Sequence, residues 1–175
     1  MKKIFGILLI VYCSCLFGCG TQEELTPTDI AFQNTIVTYN STQEETETIL
    51  KDFTMTLDEN YPFNNFYMVE NDDAELFDII VNEDGFVRAI DVVDPEVRTY
   101  KDIAVGDNIS KMTDAFKHEF PFEDTVYSVL MNGDTEVDPR LQENEDSWLW
   151  INYKYENDII TKITIYDVQY GKKLR

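Results

Sequence analysis

The chain has 175 residues, of which 43% are hydrophobic and 13% aromatic, and its formal net charge at pH 7 is −20. This apolar content is enough to bury a core, which argues against global disorder, and the length suits one domain or two very small ones. The negative charge disfavours nucleic acid and anionic lipid headgroups as partners, so no binding to nucleic acid is expected.

The N-terminus has the features of a secretory signal peptide. Met1-Lys2-Lys3 is a positive start, residues 4–17 are almost wholly apolar, and the chain turns polar after Gly20. The apolar run is shorter than the roughly 18–20 residues that a membrane-spanning helix needs. We therefore predict a cleaved signal peptide at residues 1–18 and no transmembrane anchor.

The end of this run, Leu16-Phe17-Gly18-Cys19, resembles the lipobox of bacterial lipoproteins. In that family the cysteine thiol receives a diacylglyceryl group, and the signal is cut just before the cysteine. Phe17 is bulkier than the residue usual at its position. The resemblance implies a lipid on Cys19 and an anchor in the cell membrane, on the extracytoplasmic side. An ordinary secretory signal with an unrelated cysteine is the alternative.

Lipidation would account for all three cysteines. Cys13 and Cys15 would leave with the signal and Cys19 would carry lipid, so the mature chain would have neither a free thiol nor a disulfide. Residues 19–29 are mostly polar and are predicted to form a flexible tether to a folded body at residues 30–175. Lys2 and Lys3 also leave with the signal, which makes the mature chain still more acidic.

The first half of the body is predicted to begin with a helix. Ser41-Thr42-Gln43-Glu44 matches a capping box, and an apolar stripe follows it, so we predict a helix from residue 42 to 57. The stripe consists of Ile49, Leu50, Phe53 and Leu57. The segment 27–39 before it is compatible with a helix, but its residues 35–39 favour a strand. Three strands are then predicted at 66–70, 76–81 and 86–93, and Asp84-Gly85 marks a hairpin turn between the last two.

The second half repeats this order. Asp107-Asn108 is predicted to cap a helix from 109 to 118, which is followed by strands at 125–131, 147–155 and 159–168. An aromatic-Pro-Phe triplet lies between helix and strand in both halves, at 61–63 and 120–122. We predict a weak internal duplication of residues 41–93 and 108–168. The expected fold class is α+β: an antiparallel sheet with short helices packed on one face, built as a tandem helix-plus-meander repeat.

The helix entry carries a family resemblance. The segment 99–108, TYKDIAVGDN, resembles a motif of small Gram-positive lipoproteins and of the β-lactamase-inhibitor-protein-like superfamily, which includes the SmpA/OmlA lipoproteins. The resemblance implies helices on an antiparallel sheet and a binding or assembly role, not an enzyme. The chain departs from the pattern at Asn108, where serine is usual, and at Lys117-His118-Glu119, where a glycine often closes the helix.

Few residues could support catalysis or hold a metal. His118 is the only histidine, so a Ser-His-Asp or Cys-His nucleophile system and a zinc site are not expected, and no nucleotide fingerprint is present. The acids Asp91, Asp94 and Asp167 lie at predicted strand ends. The acidic stretch 134–138 has proline after it, where a calcium loop needs glycine. We expect no cofactor and no metal, and we interpret 131–147 as a solvated loop.

Aromatic residues near the C-terminus are the best functional clue. In an extended strand Trp148 and Trp150 share one face with Asn152 and Lys154, while Leu149, Ile151, Tyr153 and Tyr155 share the other. The tryptophan face is therefore either an open recognition surface or part of the core. We predict a non-catalytic binding module for a protein or envelope component, with Trp148 and Trp150 on its binding face. A carboxylate-based hydrolase and a structural spacer are the alternatives.

Overall fold

The structure is a computed structural model that describes residues 24–61, 65–72, 74–140 and 148–169. The predicted signal peptide and Cys19 lie outside the described residues. The strands are β1 Asp29–Phe32, β2 Thr35–Thr38, β3 Thr54–Asp58, β4 Asn65–Asn71, β5 Ala74–Val81, β6 Val87–Val92, β7 Phe120–Glu123, β8 Val126–Asn132, β9 Thr135–Val137, β10 Leu149–Glu156 and β11 Ile159–Asp167. The helices are α1 Gln43–Ile49 and α2 Ile109–Ala115, and Tyr100–Asp102 forms a 3-10 turn.

A single antiparallel sheet dominates the structure. Its strand order is β3-β4-β5-β6-β11-β10-β8-β7, with β9 beside β8, while β1 and β2 form a separate hairpin. The strands of the first half thus lie on one side of the sheet and those of the second half on the other. The halves meet where β6 pairs with β11, with Ile90 directly opposite Ile165. This pairing is the seam of the sheet.

The main core lies on one face of the sheet, which we call the first face. Its centre is built from the fully buried side chains of Ile79, Ile90, Ile151 and Ile165. The same cluster contains residues of the β1–β2 hairpin, of the helices and of the following loops: Ile30, Val37, Leu50, Ile103, Met112 and Phe116. The hairpin is fixed by paired backbone hydrogen bonds of 2.8 Å between Ala31 and Arg98.

The α+β fold class predicted from the sequence is wrong, because the described residues form a mainly-β fold. Eleven strands occur in them, against two α-helices of 7 residues each. Three of the strands, β3, β7 and β9, were not predicted from the sequence pattern. Short edge strands bury few side chains, so they lack the strong alternation that identifies a strand.

The predicted helix 42–57 is the largest single error. Helix α1 ends at Ile49, and the chain then forms β3 from Thr54 to Asp58. The capping box is present, but it uses Thr42 and Glu45, one residue later than predicted. Ile49 is 41% exposed, so the apolar stripe does not follow one helical face. Alternating threonines in β3 favour strand over helix because branching at Cβ restricts the side chain in a helix.

Several other predicted elements are close to those observed. The segment 27–39, left open between helix and strand, forms β1 and β2, and the three strands of each half have the predicted positions within a few residues. Helix α2 begins as predicted, with Asn108 Oδ1 accepting the amide of Ser110 at 2.9 Å, but it ends at Ala115. The predicted loop 131–147 includes β9; its residues 141–147, like Pro62 and Phe63, lie outside the described residues.

The start of each helix is held to the sheet by a pair of backbone hydrogen bonds, and the two pairs are equivalent. The donor–acceptor pairs are Asn40–Val87 and Val87–Ser41 in the first half, and Gly106–Ile160 and Ile160–Asp107 in the second. Asn40 and Gly106 also share a left-handed backbone, with φ of 68° and 89°. Glycine adopts this conformation without strain, and asparagine tolerates it. The internal duplication stays a prediction, and these matching bonds support it.

Candidate binding face

The second face of the sheet carries a continuous row of apolar residues. Directly paired residues of antiparallel strands project on the same side of a sheet, so the register alone defines the row. From β4 to β8 it consists of Phe66, Ile80, Ala89, Tyr166, Trp150 and Leu130. We call these six residues the apolar row. Ile80, Ala89 and Leu130 are buried, while the three aromatic residues are half-buried. Aromatic side chains therefore form the accessible part of the row.

Beside the apolar row lies a second row that is mostly polar. It consists of Met68, Asp78, Asp91, Thr164, Asn152 and Ser128, and we call it the polar row. Ser128 Oγ and Asn152 Oδ1 are 2.7 Å apart, and Asn152 Nδ2 donates to Tyr166 Oη at 3.0 Å. These bonds orient the Tyr166 ring, so the two rows form one connected surface.

The two predicted binding residues differ in accessibility. Trp148 is only 4% exposed and packs with Leu130, Val137 and Val168 in a small cluster on the second face. Trp150 is half-buried and packs against this cluster. Neither α1 nor α2 contributes a residue to the cluster. Trp148 is thus a packing residue, and Trp150 is the one that a partner could contact.

The other face of β10 is part of the main core. Leu149, Ile151 and Tyr153 are buried there, which agrees with the alternation expected for this strand. The pairing of β10 with β11 shifts register between Lys154 and Tyr155. Tyr155 is half-buried and stacks on Tyr127, with ring centroids 5.6 Å apart. Burial raises the pKa of Tyr153 far above its usual range, and its hydroxyl finds no hydrogen-bond partner in the described part of the chain.

Two carboxylates meet in the polar row, where Asp78 of β5 pairs directly with Asp91 of β6. Asp78 is only 7% exposed, and burial, together with the charges of Glu75 and Asp91, raises its pKa to about 7. Lys162 acts in the opposite direction and lies 2.5 Å from Asp91 Oδ2. Asp91 was among the candidate acids predicted from the sequence, whereas Asp78 was not. An aspartate inside the apolar run Leu76–Val81 was the available signal.

A carboxyl group with a raised pKa beside a second carboxyl group is a pattern found in acid–base catalysis. Here, however, the Oδ1 atoms of both Asp78 and Asp91 are fully buried, and neither has a hydrogen-bond partner among the residues that the structure describes. A substrate cannot contact these atoms in this conformation. Two cavities lie elsewhere: one of about 460 Å³ between the β1–β2 hairpin and the 3-10 turn, and one of about 380 Å³ beside His118. Neither is lined by the aspartate pair.

The other carboxylates considered from the sequence have structural roles. Asp94 accepts the amide of Glu96 at 2.7 Å in a turn. Asp167, only 4% exposed, accepts the Tyr39 hydroxyl at 2.6 Å and lies 3.7 Å from Arg88. This contact ties the β1–β2 hairpin to the end of β11. Burial and the hydrogen bond to Asp167 raise the pKa of Tyr39 to about 12.

The histidine and the acidic stretch after β8 likewise show no metal-site geometry. His118 Nδ1 is 3.8 Å from Asp138, while a bidentate contact with Arg140 lowers the pKa of Asp138 to about 2. Glu136 lies in β9 and accepts the backbone amides of Lys117 and His118. Within the described part of the chain, no group of three histidine, cysteine or acidic residues could hold a metal ion.

Comparison with protein-family models, with curated proteins and with solved structures gives no match for this chain. Among the helices of the described residues, none has the length and apolar content to cross a membrane.

Proposed function

We propose that this protein is a lipid-anchored extracytoplasmic lipoprotein that binds a protein or another envelope component without catalysis. Its binding surface would be the accessible part of the second face, centred on Trp150 and Tyr166. The lipobox-like sequence ending at Cys19 supports the location. The observation that supports the binding role is the apolar row, which presents half-buried aromatic rings beside hydrogen-bonding side chains.

The chemistry of this surface favours recognition of a partner. Trp and Tyr combine a large apolar area with a polar group, and they are enriched among the residues that dominate binding energy. Asn152 and Thr164 lie next to them in the polar row and offer hydrogen-bonding groups. A surface of this kind can bury apolar area and fix orientation in the same contact.

The alternatives are less well supported by the geometry. A hydrolase built on the Asp78–Asp91 pair would need its carboxylate oxygens to reach a substrate, and the inner oxygens are buried. A structural spacer without a ligand would not need half-buried aromatic residues side by side on neighbouring strands.

Changing Cys19 to alanine should abolish lipid attachment and release the protein from the membrane or leave its signal uncleaved. The physical reason is that the thiol is the acceptor of the diacylglyceryl group in the family that the lipobox resembles. Metabolic labelling with a fatty-acid probe measures the attachment, with Cys13→Ala as the matched control. Equal labelling of the wild type and Cys19→Ala would exclude the lipoprotein assignment.

Changing Trp150 to alanine should weaken partner binding by about 2 kcal/mol, or roughly 30-fold, because a central aromatic contact is lost. Stability should fall by less than the 3–5 kcal/mol typical of a fully buried tryptophan, because this ring is only half-buried. The measurement is chemical cross-linking in the native envelope, with quantification of the cross-linked components by mass spectrometry, together with urea unfolding of each variant.

The matched control is Ile49→Ala, which removes an exposed apolar side chain from α1, away from the second face. Components cross-linked to the wild type should be retained by this control and reduced at least tenfold in Trp150→Ala. If both variants retain them equally, the second face is not the binding surface.

A further inference from the structure

The two edges of the large sheet are built differently. At one edge, β7 contains Pro121, which lacks a backbone N–H, and its pairing with β8 shifts register between Pro121 and Glu123. Proline and bulges of this kind are the devices that protect a sheet edge from pairing with another chain. The β7 part of this edge is therefore protected against an added strand, and the rest of the edge is β9, which has only 3 residues.

The opposite edge, β3, has none of these devices. It contains no proline and no lysine, and its register with β4 is regular from Thr54 opposite Glu70 to Asp58 opposite Phe66. Thr54 and Thr56 are exposed, and Leu57 is 44% exposed. Because only one side of an edge strand pairs with its neighbour, alternate N–H and C=O groups of β3 point away from β4.

We propose that β3 is a docking edge for an extended segment of a partner protein, which adds to the sheet as a further antiparallel strand. This inference rests on the proposed binding function and names the class of partner. An added strand would lie beside Asp58, which is paired with Phe66 at the end of the apolar row. The partner would thus extend the second face by one strand and make contact with it.

The chemistry of β3 specifies the side chains of the partner segment. Asp58 and the exposed Glu59 are acidic and no basic residue lies in β3, so basic residues are expected opposite them. Met55 and Leu57 project on the first face, and apolar partner residues opposite them would cover the exposed part of Leu57. A second copy of this chain is disfavoured, because a net charge of −20 repels a like molecule.

The probe is the peptide acetyl-Lys-Lys-Val-Thr-Val-Thr-amide, whose six residues would lie opposite residues 59 to 54. Hydrogen–deuterium exchange is measured on the lipid-anchored chain in detergent micelles, with the peptide in excess. Exchange in residues 54–58 should slow at least tenfold, because the outward amides gain acceptors. The same peptide N-methylated at every Val and Thr amide should give no protection, since it cannot complete the hydrogen bonds.

Charge selectivity is tested with the variant Asp58→Asn, which keeps an acceptor for the amide of Asn60. It should weaken binding of the lysine peptide at least threefold, whereas the matched control Asp84→Asn, at an exposed turn, should leave it unchanged. If both variants lose the same affinity for the lysine peptide, the effect comes only from the net charge of the chain, and the proposal is overturned.

Two further results would also overturn it: protection by the N-methylated peptide, or a dimer with protected β3 amides in the absence of peptide. The same experiments distinguish a failure of the proposed function from a failure of the docking edge. If Trp150→Ala leaves the envelope cross-links unchanged while the peptide still protects β3, the second-face assignment fails and the docking edge stands.

Discussion

At pH 8 the variant Asp78→Asn should be more stable than the wild type by about 4 kcal/mol. Asp78 is buried against Asp91 and Glu75, and its pKa is raised from 3.8 to about 7. Each pKa unit corresponds to about 1.4 kcal/mol of differential stability, and asparagine replaces the ionisable group with a neutral one of nearly the same shape. A large gain from a single polar substitution is therefore expected.

The direction follows from proton linkage. Because the folded pKa lies above the unfolded pKa, the folded state holds its proton more tightly. The contribution of Asp78 to stability is fully present below about pH 4 and is lost as the pH rises through about 7. The wild type should therefore lose stability between these pH values, and Asp78→Asn should lose less.

Urea unfolding at a series of pH values from 4 to 8 measures this difference. The matched control is Asp84→Asn, which removes one acid from an exposed turn and reports the effect of net charge alone. Parallel pH profiles for the two variants would show that Asp78 has no special role.

The variant Asp167→Ala should lose about 3 kcal/mol of unfolding free energy. It leaves the Tyr39 hydroxyl without its acceptor at 2.6 Å and the Arg88 guanidinium without its carboxylate at 3.7 Å. Removing one member of a buried charged pair typically costs 3–5 kcal/mol, and the partial exposure of Arg88 places this case at the lower end. Urea unfolding at pH 7 measures the loss.

Tyr39→Phe is the matched variant for this network, because it removes two hydrogen bonds of the hydroxyl, the one donated to Asp167 and the one accepted from Arg88 at 3.2 Å, and keeps the Arg88–Asp167 ion pair. It should cost about 2 kcal/mol, as expected for two hydrogen bonds of about 1 kcal/mol each. If Asp167→Ala costs no more than Tyr39→Phe, the ion pair contributes nothing, and the hydrogen bonds of Tyr39 alone hold the hairpin to β11.

Local chemistry made parts of the fold predictable from the sequence. Asn108 can cap a helix whatever lies beyond it, and Asp84-Gly85 favours a turn between any two apolar runs. Both features are present in the structure, as are the strands that flank the turn. These predictions depend on a few neighbouring residues, so tertiary contacts did not overturn them.

The fold class was wrong because it depended on a pattern with two interpretations. The spacing of Leu50, Phe53 and Leu57 matches a helix, but Leu50 and Phe53 contact the core from the end of α1 and the loop after it, while Leu57 lies on an edge strand. Periodicity over a few residues cannot distinguish one continuous helix from a helix, a turn and a strand.

The candidate site was only partly predictable for a different reason. The alternation of β10 correctly separated Ile151 from Trp150. The contact between Asp78 and Asp91 depends on the register of two strands, which the sequence does not state. The burial of Trp148 depends on β9 and on Val168, and β9 was not predicted.

The seam between β6 and β11 has a consequence for how the chain folds. Within each half the strands pair mainly with near neighbours along the chain, whereas the seam joins Val92 to Ile163. Closing so long a loop costs conformational entropy before any contact is gained, and folding rates fall as contacts become less local. Each half should therefore form its meander early, and docking of the two meanders along the seam should limit the refolding rate.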